Sequence, residues 1–145
     1  MKKQTCVIMV SAFGGLVILS KLFDFPAIQD EHPQRLAGIL DSQSVRFYSY
    51  SLGGYIDKEY LWRIDATLAE VNAVISELGL QRATEVPREF WRFRPYYWPK
   101  KSFTGALAYR SQRFEASNRG PDGLHFYVVH DPSKGQAFAW VKDSF

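Results

Sequence analysis

Residues 45–80 read VRFYSYSLGGYIDKEYLWRIDATLAEVNAVISELGL, and a change of rhythm inside them sets the fold class. Val45–Leu52 is rich in β-branched and aromatic residues, the composition of a strand. Gly53-Gly54 supplies a turn. Tyr60, Trp62 and Ile64 then alternate with Leu61, Arg63 and Asp65, a period of two that predicts a second strand, paired with the first as a hairpin. At Thr67 the period lengthens. Thr67 and Glu70 have the spacing of a capping box, the hydroxyl accepting from the Glu70 amide while the carboxylate reaches back. Leu68, Val71, Val74, Ile75 and Leu78 follow on one helical stripe. Gly79 suits the left-handed position after the last turn, from which Leu80 packs back on Ile75.

Downstream, residues 81–104 carry Pro87, Pro95 and Pro99 and are expected to be irregular. Further strands are predicted at Ala106–Arg113, Leu124–His130 and Gln136–Lys142. Gly120-Pro121-Asp122-Gly123 has type I turn chemistry, and Asp131–Gly135 joins the last two strands. Connections this short favour an antiparallel meander. Residues 45–145 thus read as a single α+β domain of about five antiparallel strands, with one helix packed on one face.

Upstream, Thr5–Ser20 reads TCVIMVSAFGGLVILS, flanked by Lys2, Lys3 and Lys21. A helix of this run spans about 24 Å, short of the roughly 30 Å of bilayer hydrocarbon. Leu22, Phe23 and Phe25 extend it to about 31 Å if Lys21 carries its ammonium to the interface. Residues 1–25 are therefore read as an N-terminal membrane anchor, a single-pass transmembrane helix. A cleaved signal peptide is disfavoured because no small-x-small site follows the run, and a buried soluble helix fits Gly14-Gly15 less well. Residues 26–44, with Pro26 and Pro33, read as a tether. Two lysines precede the run and one follows it, which points the domain to the outer side of an inner membrane, periplasmic or extracytoplasmic.

The formal charge of +3 is carried entirely by Lys2, Lys3 and Lys21; the remainder has 15 basic and 15 acidic residues. A neutral domain lacks the net basic footprint that nucleic acid needs, so no nucleic-acid partner is expected. Cys6, the lone cysteine, lies in the apolar run and excludes an internal disulfide. No G-x-S-x-G, Walker A loop or G-x-G-x-x-G is present, and no cofactor is expected. His125 and His130 are five apart on one predicted strand, hence on opposite faces, where they cannot share a metal without a bulge. A His130-Asp131 catalytic pair lacks a positioned nucleophile. Asp65 and Glu70 flank the helix start, where the helix dipole and capping account for them.

The unusual stretch is Pro87–Phe103, PREFWRFRPYYWPKKSF. From Arg82 to Arg113 eight basic residues face only Glu85 and Glu89, a local charge of +6. One reading folds this segment over the sheet, its rings closing the edge of a small core. The other makes it a contact surface: Phe90, Trp91, Tyr96, Tyr97 and Trp98 with Arg92 and Arg94. Such a surface suits a protein partner or anionic lipid headgroups, and rings also stack on sugars.

Trp62–Ala66, Leu78-Gly79-Leu80, Glu89–Arg92, Tyr97-Trp98-Pro99, Gly120–Gly123, His130-Asp131-Pro132 and Trp140–Phe145 together resemble a set of short bacterial proteins of unknown function with an N-terminal anchor. The similarity spans residues 59–145. It implies a bacterial source and assigns no chemistry. The expected function is a non-catalytic, membrane-anchored interaction domain. An inhibitor or immunity-type protein is one alternative, and an enzyme or small-ligand domain using Asp65, Tyr109 or His125 is another.

Overall fold

The computed structural model describes Leu36, Leu40 and residues 45–53, 57–117 and 122–144. The expected transmembrane helix, most of the expected tether, and Gly120-Pro121 of the expected turn lie outside the described residues. Among those residues no helix is long and apolar enough to cross a membrane.

The elements run β1 (Arg46–Gly53), β2 (Lys58–Asp65), α1 (Leu68–Glu77), β3 (Gln81–Ala83), a 3-10 helix (Arg88–Arg92), β4 (Leu107–Arg110), β5 (Gly123–Asp131) and β6 (Gln136–Ser144). Six strands form one sheet in the order β1-β2-β6-β5-β4-β3, every pair antiparallel. The hairpin β1–β2 and the meander β4–β5–β6 stand where the sequence puts them. β6 then pairs with β2 along eight residues, from Lys58↔Asp143 to Asp65↔Gln136, and so joins the two halves. The sixth strand, β3, falls within the stretch expected to be irregular. Its residues are held by pairing with Arg110, Tyr109 and Ala108 rather than by any local preference.

Helix α1 begins as its capping box requires. The Thr67 amide donates to the Glu70 carboxylate at 2.7 Å, and the Glu70 amide donates to the Thr67 hydroxyl at 3.3 Å. It ends in a Schellman motif: Gly79 sits at φ 60°, its N–H donates to Ser76 and that of Leu80 to Ile75, both at 3.0 Å. Val71, Val74 and Ile75 are buried, and Leu78 packs against them. Leu68, expected on the stripe, is 53% exposed.

Both faces of the sheet are covered. Under α1 lies a cluster of Phe47, Trp62, Ile64, Phe126, Val128, Ala137, Ala139 and Val141. Leu36 and Leu40 are fully buried in the same cluster, so this core draws on two side chains from the stretch read as a tether. The other face presents Leu61, Ala108, Tyr127, Val129, Phe138 and Trp140, roofed by Phe90, Tyr97, Trp98 and Phe114. Leu61 and Trp62 are adjacent yet both buried. On a half-exposed strand one of them would face water; here helix and loop layers enclose the sheet from either side.

Candidate functional site

The aromatic-basic segment is the roof of the second core. Pro87 accepts the Phe90 amide at 3.1 Å and Pro95 accepts that of Trp98 at 2.9 Å, so two short turns drop large rings inward. Phe90 lies 4.8 Å from Trp98, 5.2 Å from Trp91 and 5.9 Å from Tyr127, centroid to centroid. Phe93 packs 4.8 Å from Trp140, and Trp98 5.7 Å from Phe138. The polar tips of the buried rings are satisfied. The Tyr97 hydroxyl donates to the Leu61 carbonyl at 3.1 Å, the Trp98 indole to Phe90 at 2.6 Å, and the Tyr127 hydroxyl to Glu85. Burial pushes the Tyr127 phenol up to about 12, which keeps it a donor.

This placement divides the expected contact surface in two. Phe90, Tyr97 and Trp98 are core side chains and are not available to a partner. Trp91 is half-buried against Phe90 and Phe103. Arg92, Arg94 and Tyr96 stay outside, and Tyr96 is 54% exposed, with its ring edge-on to Tyr97. The physical reason is the pair of turns closed by Pro87 and Pro95, which carry Phe90 and Trp98 into the core while Arg92, Arg94 and Tyr96 between them reach the surface. Arg88, Lys100 and Lys101 are exposed too. The Lys100 ammonium donates back to the carbonyls of Phe93 and Pro95 at 2.6 and 3.2 Å, which fixes the turn that carries Arg94. Among the described residues, Arg88, Arg92 and Arg94 have no ion-pair partner.

Charge is unevenly distributed along the domain sequence. Residues 82–113 carry +6; the rest of 45–145 has six basic and nine acidic residues, −3. Helix α1 contributes Glu70 and Glu77 and no cation.

The remaining titratable groups do not converge. Phe126 and Val128 belong to the helix-side core, Tyr127 and Val129 to the loop-side core, so His130 and His125 take opposite faces. Asp65 lies in register with Gln136 and Asp131, at the far end of β5 from His125, six residues or about 20 Å away. Tyr109 packs on the helix-side cluster and accepts from Arg82 at 3.3 Å. Asp65, Tyr109 and His125, named for the alternative of an enzyme or small-ligand domain, are not brought together. Asp65 instead receives a two-point hydrogen bond from Arg63, at 2.7 and 2.6 Å. Asp131 accepts from the Ser133 hydroxyl and amide at 2.5 and 3.1 Å, away from His130. Burial opposes its charge, but these bonds and Lys134 prevail and hold its carboxyl below the usual range. Among the described residues no group of His, Cys, Asp and Glu is placed to hold a metal ion.

Two further polar side chains, Lys142 and His130, are buried. Lys142 on β6 donates to the carbonyls of Glu115 and Ala116 at 2.8 and 3.3 Å, and its ammonium lies 4.8 Å from the Trp140 ring. Burial lowers its pKa, against the pull of Glu59 and Glu115. His130 is 0% exposed and neither ring nitrogen has a hydrogen-bond partner among the described residues. No family model, curated protein or solved structure matches the chain.

Proposed function

We propose that this chain is a membrane-anchored, non-catalytic interaction domain of a bacterial inner membrane, held on the outer side by residues 1–25. Its contact face is the outer rim of the loop layer: Arg88, Trp91, Arg92, Arg94, Tyr96 and Lys101. The observation that carries the reading is the division of Pro87–Phe103 into a buried aromatic base and an exposed cationic rim. A rim whose backbone is fixed on packed rings has less main-chain freedom to lose when a partner binds. Arg, Tyr and Trp are also the residue types that dominate binding energy at protein interfaces.

A photoreactive phenylalanine analogue placed at Tyr96 in the full-length chain, in cells, tests this. A discrete adduct is expected from that position and none from Asn72, which is exposed on the helix side. Adducts from Asn72 alone would move the contact face to the helix layer.

A further inference from the structure

We propose that the outer edge of β1 pairs with β1 of a second copy of this chain, antiparallel and centred on Ser49, so that two six-stranded sheets become one. The pairing goes beyond the contact face on the loop rim and does not depend on it.

The two edges of the sheet are built differently. β3 closes one side and has three residues, Gln81–Ala83, with Arg82 at its middle. An edge so short and charged offers little to another chain. β1 closes the other side and runs eight residues, RFYSYSLG. Among the described residues no strand lies beyond it. Arg46 is its sole charge, at its first position, and it has no proline. Its pairing with β2 is regular from Arg46 to Ser51, and the bulge comes only between Ser51 and Gly53. The devices that blunt an edge, namely charge, proline and bulge, are thus missing from its middle. Arg46, Ser51 and Leu52 are exposed, and Tyr48, Ser49 and Tyr50 are half-buried although they stand mid-strand. Every second residue of an outer strand turns its amide and carbonyl away from the sheet, so a ladder can continue there.

The side chains select the occupant. The order around Ser49 is nearly the same in both directions, with Tyr48 on one side and Tyr50 on the other. Two identical antiparallel strands are related by a two-fold axis. An axis through Ser49 faces Tyr48 with Tyr50 of the second copy, twice over. Both tyrosines pack on the loop-side core, so the facing rings meet on one side of the sheet. Tyr48 is already held there by the Arg63 guanidinium, 4.9 Å from its ring centroid, and by Tyr97 at 5.9 Å. On the helix side Ser49 faces itself and Phe47 faces Ser51, small hydroxyls that crowd nothing. Arg46 faces Leu52, and the two copies of Arg46 stand about 20 Å apart along the ladder, beyond the screening length of about 8 Å. Moving the axis to Tyr48 or Tyr50 leaves one tyrosine pair in place of two. A foreign strand would meet the same backbone groups without this symmetry. One strand edge is a small interface, so the pair is reversible and is read by cross-linking.

The test uses the full-length chain with Cys6→Ser, which leaves an introduced cysteine as the only one. Facing Cα atoms of an antiparallel ladder stand about 4.5–5.5 Å apart, within reach of a disulfide. Ser49→Cys should therefore give a dimer of twice the chain mass on mild oxidation. The two copies of Ser51 lie four residues apart along the ladder, about 14 Å, and Ser51→Cys should give about tenfold less dimer. Ser51 is the more exposed of the two, so random collision would reverse that order. Tyr50→Ala removes both tyrosine pairs at once, since each contains one Tyr50, and should lower the Ser49→Cys yield about fivefold. Thermal unfolding checks that this variant is intact; if it is not, the comparison of positions 49 and 51 decides alone. Equal yields at the two positions, or no dimer from either, overturn the pairing. A cross-link from position 49 to a protein of another mass overturns the second copy as the occupant. The adduct from Tyr96 is indifferent to all of these outcomes.

Discussion

Trp98 donates its indole N–H to the main-chain oxygen of Phe90 at 2.6 Å, and the two rings pack with centroids 4.8 Å apart. One hydrogen bond and one ring contact thus close an irregular segment on itself. This pair, with Tyr97 tied to Leu61 on β2, substitutes for the regular ladder the segment lacks. Trp98→Phe keeps the packing and leaves the Phe90 carbonyl unmet, at a cost of about 1–2 kcal/mol. Trp98→Ala also opens a cavity and should cost about 3–5 kcal/mol. Urea unfolding followed by far-ultraviolet circular dichroism measures both, and a Trp98→Ala protein as stable as the wild type would place that ring outside the core.

Arg92 and Arg94 behave differently because their guanidiniums touch solvent. Arg92→Ala and Arg94→Ala should change stability by no more than about 0.5 kcal/mol, the range of ordinary surface substitutions. The contrast with Trp98 separates base from rim in a single unfolding series. A loss above about 2 kcal/mol at either arginine would mean that it, too, holds the roof in place.

The helix was legible to the residue because caps are local chemistry: Thr67, Glu70, Gly79 and Leu80 act within one turn of themselves. The hairpin and meander were legible from period and turn length. What escaped the sequence is what depends on distant chain. β3 is a strand only because β4 lies beside it. Leu36 and Leu40 sit among prolines and polar residues and gain their burial from a cluster that begins with β1. Within Pro87–Phe103, composition announced a segment of unusual chemistry but could not sort its rings. Three prolines and a 3-10 turn break both the period of two and the period of 3.6, so no simple alternation identifies Phe90, Tyr97 and Trp98 as inward and Tyr96 as outward.

Lys142 ties the segment after β4 to the sheet. Its ammonium meets the carbonyls of Glu115 and Ala116, while the Glu59 carboxylate lies 3.9 Å away. Lys142→Met preserves the apolar stem and removes the donor. The cost should be about 1–3 kcal/mol, since two carbonyls lose a charged partner. Hydrogen exchange read by mass spectrometry should quicken at residues 111–117 and leave α1 unchanged. Uniform acceleration through the whole domain would instead show that the segment has no separate opening.

Gly135 closes the β5–β6 turn at φ 61°, and its carbonyl accepts the Ala66 amide at 3.0 Å, just before α1. A Cβ there would stand 3.1 Å from the Ala66 oxygen. Gly135→Ala therefore combines a left-handed backbone with a tight contact and should cost about 1–2 kcal/mol or somewhat more. Gly79→Ala has the same backbone sign with open space around it, and its cost should be the smaller of the two. Denaturation midpoints of the two variants give the comparison; equal losses would assign no weight to the contact with Ala66.

His130 makes stability depend on acidity. Burial drives its pKa below the ordinary 6.5, and the neighbouring Asp131 only partly opposes this. The folded state therefore prefers the neutral ring, and the unfolded chain binds the extra proton. Linkage then fixes the sign: the contribution of His130 is fully present above about pH 6.5 and is lost as the pH falls from there toward the lower folded-state value. Asp131 also has a lowered pKa, so its own loss begins only around its ordinary 3.8, which leaves the window between the two to His130. His130→Leu removes two unsatisfied nitrogens and should gain about 1 kcal/mol near neutrality, more at pH 5. His125 is present in both proteins and cancels in the difference. Urea midpoints at pH 7.5, 6.5 and 5 should fall for the wild type and fall much less for the variant. Parallel curves would show that His130 finds a partner for its proton within the fold.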